Sequence, residues 1–105
     1  MPKPAAPSAT TPKRSTSFEP DVARAIGTVI RHVREELEFS QDAFALHAGV
    51  DRSYYGKLER GERQPTVGLL LRIARALGVS GSELLGQAEV LLAQRPTRRR
   101  ARAGS

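Results

Sequence analysis

Hydrogen-bond donors at helical spacing are the chemistry this sequence offers. Arg52, Ser53, Lys57 and Arg60 recur so that a helix over this stretch carries Arg52 and Ser53 in its first turn and Lys57 one turn beyond Ser53, on the same face. Guanidinium and ammonium groups placed this way suit a polyanion, and the arginine fork fits two acceptors side by side. Reaction chemistry finds no such support. His32 and His47 have neither a second histidine nor a carboxylate at a recognised ligand spacing, and no cysteine is present to give a disulfide, a thiolate ligand or a nucleophile. Nor is there a nucleophile–base pair or a glycine loop for phosphates. The expectation is a binding protein that is not an enzyme and needs no cofactor or metal.

The elements that position these donors can be read outward from Gln41–Gly61. Ser40 stands where an N-cap belongs, ahead of a helix of about two turns that opens at Gln41. Gly49 can end that helix in the left-handed conformation at little cost. Asp51 then caps a second helix, roughly Arg52 to Arg60, which Gly61 stops. Two short helices joined by a glycine-containing turn form a helix-turn-helix. Phe44, Ala45, Ala48, Val50, Tyr55 and Leu58 should meet in the angle between them, leaving Arg52, Ser53, Gly56, Lys57 and Arg60 outward. Tyr55 is assigned to the core with its hydroxyl at the rim, and Tyr54 points sideways toward phosphate or water.

The flanking helices supply the core. Val22, Ile26, Val29, Ile30, Val33 and Leu37 lay an apolar stripe on a helix from Asp21 to about Glu38. Thr66 caps a helix over Val67–Leu77, whose Val67, Leu70, Ile73, Ala74 and Leu77 close the core, and Ser80-Gly81-Ser82-Glu83 forms a capping box for a fifth. Gly86 leaves open whether this last helix reaches Gln94. Leu84, Leu85, Val90, Leu91 and Leu92 exceed what a small core needs, so Leu84, Leu85, Val90 and Leu91 are expected at a twofold interface.

Charge divides the chain in the same way. The net charge is +6, yet residues 21–86 balance nine basic against nine acidic groups. The excess lies in the ends, with Lys3, Lys13 and Arg14 before the folded part and Arg95, Arg98, Arg99, Arg100 and Arg102 after it. Within that part, Glu35, Glu36 and Glu38 crowd one end while Arg52, Lys57, Arg60 and Arg63 cluster elsewhere, as a face approaching a polyanion requires. The expected division is a disordered leader at 1–19, a folded domain at 20–86, a helical extension or dimer contact at 87–94 and a disordered basic tail at 95–105. The leader is read as solvated, the alternative being a minor-groove or phosphate-contacting arm built on Lys13 and Arg14. No apolar run reaches the roughly 20 residues of a membrane span, and a secretory signal is lacking, so a cytoplasmic protein is expected.

VREELEFSQDAFALHAGV, then LERGERQPT, then LLLRIARALGVSGSELL, in this order and spacing, resemble the lambda-repressor and Cro-like (XRE-type) helix-turn-helix DNA-binding proteins from about Ile26 to Leu85. The resemblance implies an all-α, five-helix lambda-repressor-like domain that binds double-stranded DNA as a homodimer on a palindromic operator and regulates transcription. It places Arg52, Ser53 and Lys57 at base-contacting positions, and Gln41, Arg60, Arg63 and Gln64 near phosphates. It also pairs Arg34 with Glu59. Gly56 departs from the longer polar residues usual in the family and is expected to leave room for a close DNA backbone or base edge. The alternative is an antitoxin or coactivator-like adaptor of the same fold, with the Leu84–Leu92 segment holding another polypeptide.

Overall fold

A computed structural model describes residues 17–94 as five helices, with no strand among the described residues. The first, α1, spans Pro20–Glu36. Proline fits its first turn, where no N–H partner is needed, and Asp21 complements the positive helix end. Ile26, Val29, Ile30 and Val33 form its buried stripe. Leu37, expected to extend the stripe, is instead 46% exposed. The helix has ended at Glu36, and Glu38 takes a φ of 64°, so the chain leaves the core face before Leu37 can turn inward. Phe39 is the next side chain to reach the core, with its ring 5.4 Å from Phe44 and stacked on His47 at 5.2 Å.

The helix-turn-helix follows. α2 is Gln41–Ala48, opened by Ser40 Oγ accepting the Ala43 N–H at 3.0 Å. Gly49 ends it at φ 73°, and Arg72 donates to the Gly49 carbonyl at 3.2 Å, tying the turn to the fourth helix. α3 is Arg52–Glu59, with Asp51 Oδ2 accepting the Tyr54 N–H at 2.9 Å. One approach behind it leaves no room for a side chain. A Cβ on Gly27 of α1 would lie 2.4 Å from the Leu58 carbonyl oxygen and 2.7 Å from that of Glu59, so the bare glycine lets α1 and α3 touch through their backbones.

α4 covers Val67–Leu77 behind Thr66, whose Oγ1 accepts the Leu69 N–H at 3.1 Å. Val67 does not close the core. It is 72% exposed at the first position of α4, and Leu70, Ile73, Ala74 and Leu77 are the residues that turn inward. α5 is Gly81–Gln94, opened by Ser80 Oγ on the Glu83 N–H at 3.0 Å, and Gly86 does not interrupt it. Residue 86 is therefore no structural boundary. Leu84 and Ala88 bury the inner line of α5, which packs against α1 and α4. Ile30, Phe44, Tyr55, Leu58, Ile73 and Leu84 are the large side chains at the centre.

Candidate nucleic-acid interface

At 100° per residue, positions 52, 53, 56, 57 and 60 share an arc of about 140° on α3, opposite buried Tyr55 and Leu58. Arg52, Ser53 and Arg60 are exposed on it, and Lys57 is half-buried. Arg52 Nη1 reaches across the turn to Asp42 Oδ2 at 3.3 Å. Arg60 donates to Glu62 at 2.8 Å, and this hydrogen bond holds the exposed Glu62 carboxyl below the usual carboxylate range. Arg63, in the following loop, is exposed beside them. Gly56 lies on the same arc but is buried, because a Cβ there would meet Arg60 Nη1 at 3.2 Å and Gln41 Oε1 at 3.3 Å. Its space is filled by the protein's own side chains, not left open for DNA.

Beneath this face, Arg34 of α1 donates Nε to Glu59 Oε2 at 2.6 Å and Nη2 to Oε1 at 3.0 Å, and its Nη1 holds the Phe39 carbonyl at 2.7 Å. Gln41 Nε2 adds a hydrogen bond to Glu59 Oε1 at 2.9 Å. One carboxylate thus gathers α1, α2 and the end of α3. Burial alone would push Glu59 up, but its polar neighbours, the Arg34 hydrogen bonds and charge foremost, outweigh it and hold the group below its ordinary range. Tyr55 stands beside this network. Its hydroxyl does not reach the rim; it is buried near the Glu59 carboxylate without making a hydrogen bond, and burial, together with that carboxylate, pushes the phenol up.

A helix-turn-helix family model matches residues 30–84, from α1 through the start of α5. The chain belongs to the XRE-type helix-turn-helix family of DNA-binding transcriptional regulators. It is 37% identical over 65 residues to the HTH-type transcriptional regulator y4dJ of Sinorhizobium fredii, covering 62% of this chain and 84% of that one. With the control protein C.MunI of a Mycoplasma species the identity is 33% over 70 residues, covering 66% and 95%. Among solved structures, it is similar to the restriction-modification controller protein C.AhdI from Aeromonas hydrophila, with 35% identity, a TM-score of 0.57 and coverage of 59% and 94%. The clp gene regulator ClgR from C. glutamicum superposes with a TM-score of 0.64 at 28% identity, over 71% and 96% of the two chains.

In this helix-turn-helix regulator several side chains sit differently from the sequence expectation. Gln41, expected at a phosphate, has its amide turned inward to Glu59. Gln64 is likewise engaged, accepting the Glu19 N–H at 2.8 Å and donating to the Ser17 carbonyl at 3.1 Å, so it clamps the approach to α1. Tyr54 is half-buried against the core. Leu84 cannot serve a dimer contact, being 2% exposed inside the core. The other three expected there do not share a face: Leu85 is exposed one helical turn on from Gly81, which meets Leu71 of α4, whereas Val90 and Leu91 line a groove with Thr28, Val29 and His32 of α1.

Contrary to expectation, His32 does meet a carboxylate one turn on, Glu36 at 3.3 Å. The pair is exposed, and among the described residues no three or more potential ligands gather as a metal would need. No helix among these residues is long and apolar enough to cross a membrane. Lys13, Arg14 and the arginines from Arg95 to Arg102 lie outside the described residues. Asp42 was not singled out in the sequence; its only signal there was a carboxylate two residues past an N-cap.

Proposed function

We propose that the regulator binds a palindromic operator as a cytoplasmic homodimer, with the α3 helices of the two protomers about 34 Å apart in successive major grooves. Arg52, Ser53 and Lys57 read base edges, and Arg60 and Arg63 contact phosphates. Gln41, Tyr54 and Gln64, whose side chains are engaged with the protein, steady those contacts rather than supply them. The observation that carries this reading is the donor arc of α3, whose Arg52, Ser53 and Arg60 face solvent beside a half-buried Lys57 while Glu59 at the end of the same helix is anchored in a buried ion pair. Such anchoring fixes where the donors point, as base readout demands. The mechanism involves no bond chemistry, and regulation follows from occupying the operator.

The dimer contact is assigned to Leu85 together with Leu71 and Val67. Leu71 lies over Gly81, whose absent Cβ would come within 2.4 Å of Leu71 Cδ2, and all three side chains are exposed apolar groups. One observation favours a second reading. The α1–α5 groove beside Val90 and Leu91 is mostly apolar, as an adaptor holding another polypeptide requires.

The test uses the purified chain and duplexes selected from random sequence at stated salt. Arg52→Ala and Lys57→Ala should each weaken the selected site far more than random duplex. An equal loss on both would refute base reading by these side chains.

A further inference from the structure

Asp42 and Arg52 occupy the first turns of neighbouring helices, α2 and α3, and face one another across the turn. Arg52 Nη1 lies 3.3 Å from Asp42 Oδ2, with side-chain exposures of 73% and 65%. A guanidinium has two separable donor sets, the Nε/Nη2 fork and the remaining Nη1. Arg34 shows that division within this molecule, giving its fork to Glu59 and Nη1 to the Phe39 carbonyl. In Arg52, Nη1 is the group that is held. The fork stays open at the solvent-facing start of α3, and it matches the paired O6 and N7 acceptors of guanine.

The fold accounts for Asp42, an acid in the first turn of α2 where the helix dipole favours it, but gives little reason for Arg52 opposite. An arginine in the first turn of a helix meets the positive end of the dipole, and an exposed ion pair adds little stability. For a surface that approaches phosphates, a carboxylate is also repulsive. What the pair does supply is restraint. A free arginine side chain spreads over many rotamers, whereas one tethered at Nη1 keeps its fork in a narrow range of directions.

We propose that Asp42 is a positioning residue for base recognition: it holds Arg52 by Nη1, giving up affinity for DNA in general and sharpening the choice of guanine at one base pair. This rests on the reading of α3 as the base-reading helix. Asp42 itself need not touch DNA.

The experiment compares wild type, Asp42→Asn, Asp42→Ala, Arg52→Ala and the double variant Asp42→Ala/Arg52→Ala on a selected duplex and its single-base variants at fixed salt. Melting curves of the full chain establish that all five proteins fold. At the base pair whose preference disappears in Arg52→Ala, Asp42→Ala should reduce the preference by about 3- to 10-fold while binding to random duplex tightens. Asp42→Asn, which keeps the acceptor without the charge, should fall between, and Asp42→Ala should change no preference once Arg52 is gone. If Asp42→Ala strengthens every duplex by one factor and leaves the preferences intact, Asp42 acts only as a charge and the proposal is overturned. If Arg52→Ala leaves every preference unchanged, the proposal falls together with the base-reading role of Arg52, a pattern distinct from the first failure.

Discussion

Arg34 and Glu59 meet fork to fork, with hydrogen bonds of 2.6 and 3.0 Å between side chains that are only 9% and 2% exposed. Breaking such a pair leaves a buried charge without its partner. Arg34→Met or Glu59→Ala should therefore lower unfolding free energy by about 3–5 kcal/mol in denaturant titrations. A loss below about 1 kcal/mol would place the pair among exposed ones.

The same pair sets a pH dependence. Glu59 is held below its unfolded value, so its contribution is fully present above the unfolded carboxylate pKa of about 4.3 and is lost as pH falls through the lower folded value. Stability measured from pH 6 downward should decline over that acid range. The Glu59→Gln variant should start lower and show a shallower decline.

Two glycines within helices should respond oppositely to alanine. Gly27→Ala forces a methyl against the Leu58 and Glu59 carbonyls and should cost about 2 kcal/mol or more, displacing α3 and weakening DNA binding as well. Gly86 meets nothing within 4 Å and lies inside α5, so Gly86→Ala should stabilise by about 0.5–1 kcal/mol. Thermal melts of the two variants check both signs.

Tyr55→Phe removes a buried hydroxyl that has no hydrogen-bond partner. The rest of the ring keeps its place against Phe44, at a centroid distance of 5.4 Å. Unfolding free energy should stay level or rise by about 1 kcal/mol. A clear loss would mean that the hydroxyl donates to Glu59 in solution.

The oligomeric assignment is tested with charge. Leu85→Asp should give a monomer by light scattering, whereas Val90→Asp, on the opposite flank of α5, should leave the dimer intact. The reverse result would move the contact to the α1–α5 groove.

What could be read from the sequence was mainly local. Ser40, Asp51, Thr66 and Ser80 each cap a helix by accepting an N–H three residues on, an interaction confined to a few residues of chain. Distant relationships had no such signature, and the pairing of Arg34 with Glu59 across 25 residues was reached only through the family resemblance. The inward hydrogen bond of Gln41 spans 18 residues and the reach of Arg52 to Asp42 spans 10, and neither leaves a periodicity to find. Leu84 was misassigned because the apolar surplus after residue 83 can be divided between core and surface only once α5 is known to continue past Gly86. Packing, not a propensity of about 1 kcal/mol, decides that continuation. Leu37 failed for a smaller reason, since the helical period was carried one residue beyond the true end of α1.

The bare contact at Gly27 has a consequence for how operator preference can change. With nothing compressible between α1 and α3, the recognition rod cannot be re-tilted by small repacking behind it. On the proposed reading of α3, new specificity in this scaffold would come from exchanging the outward letters at 52, 53 and 57, or the Asp42 that holds the first of them, while the frame that presents them stays fixed.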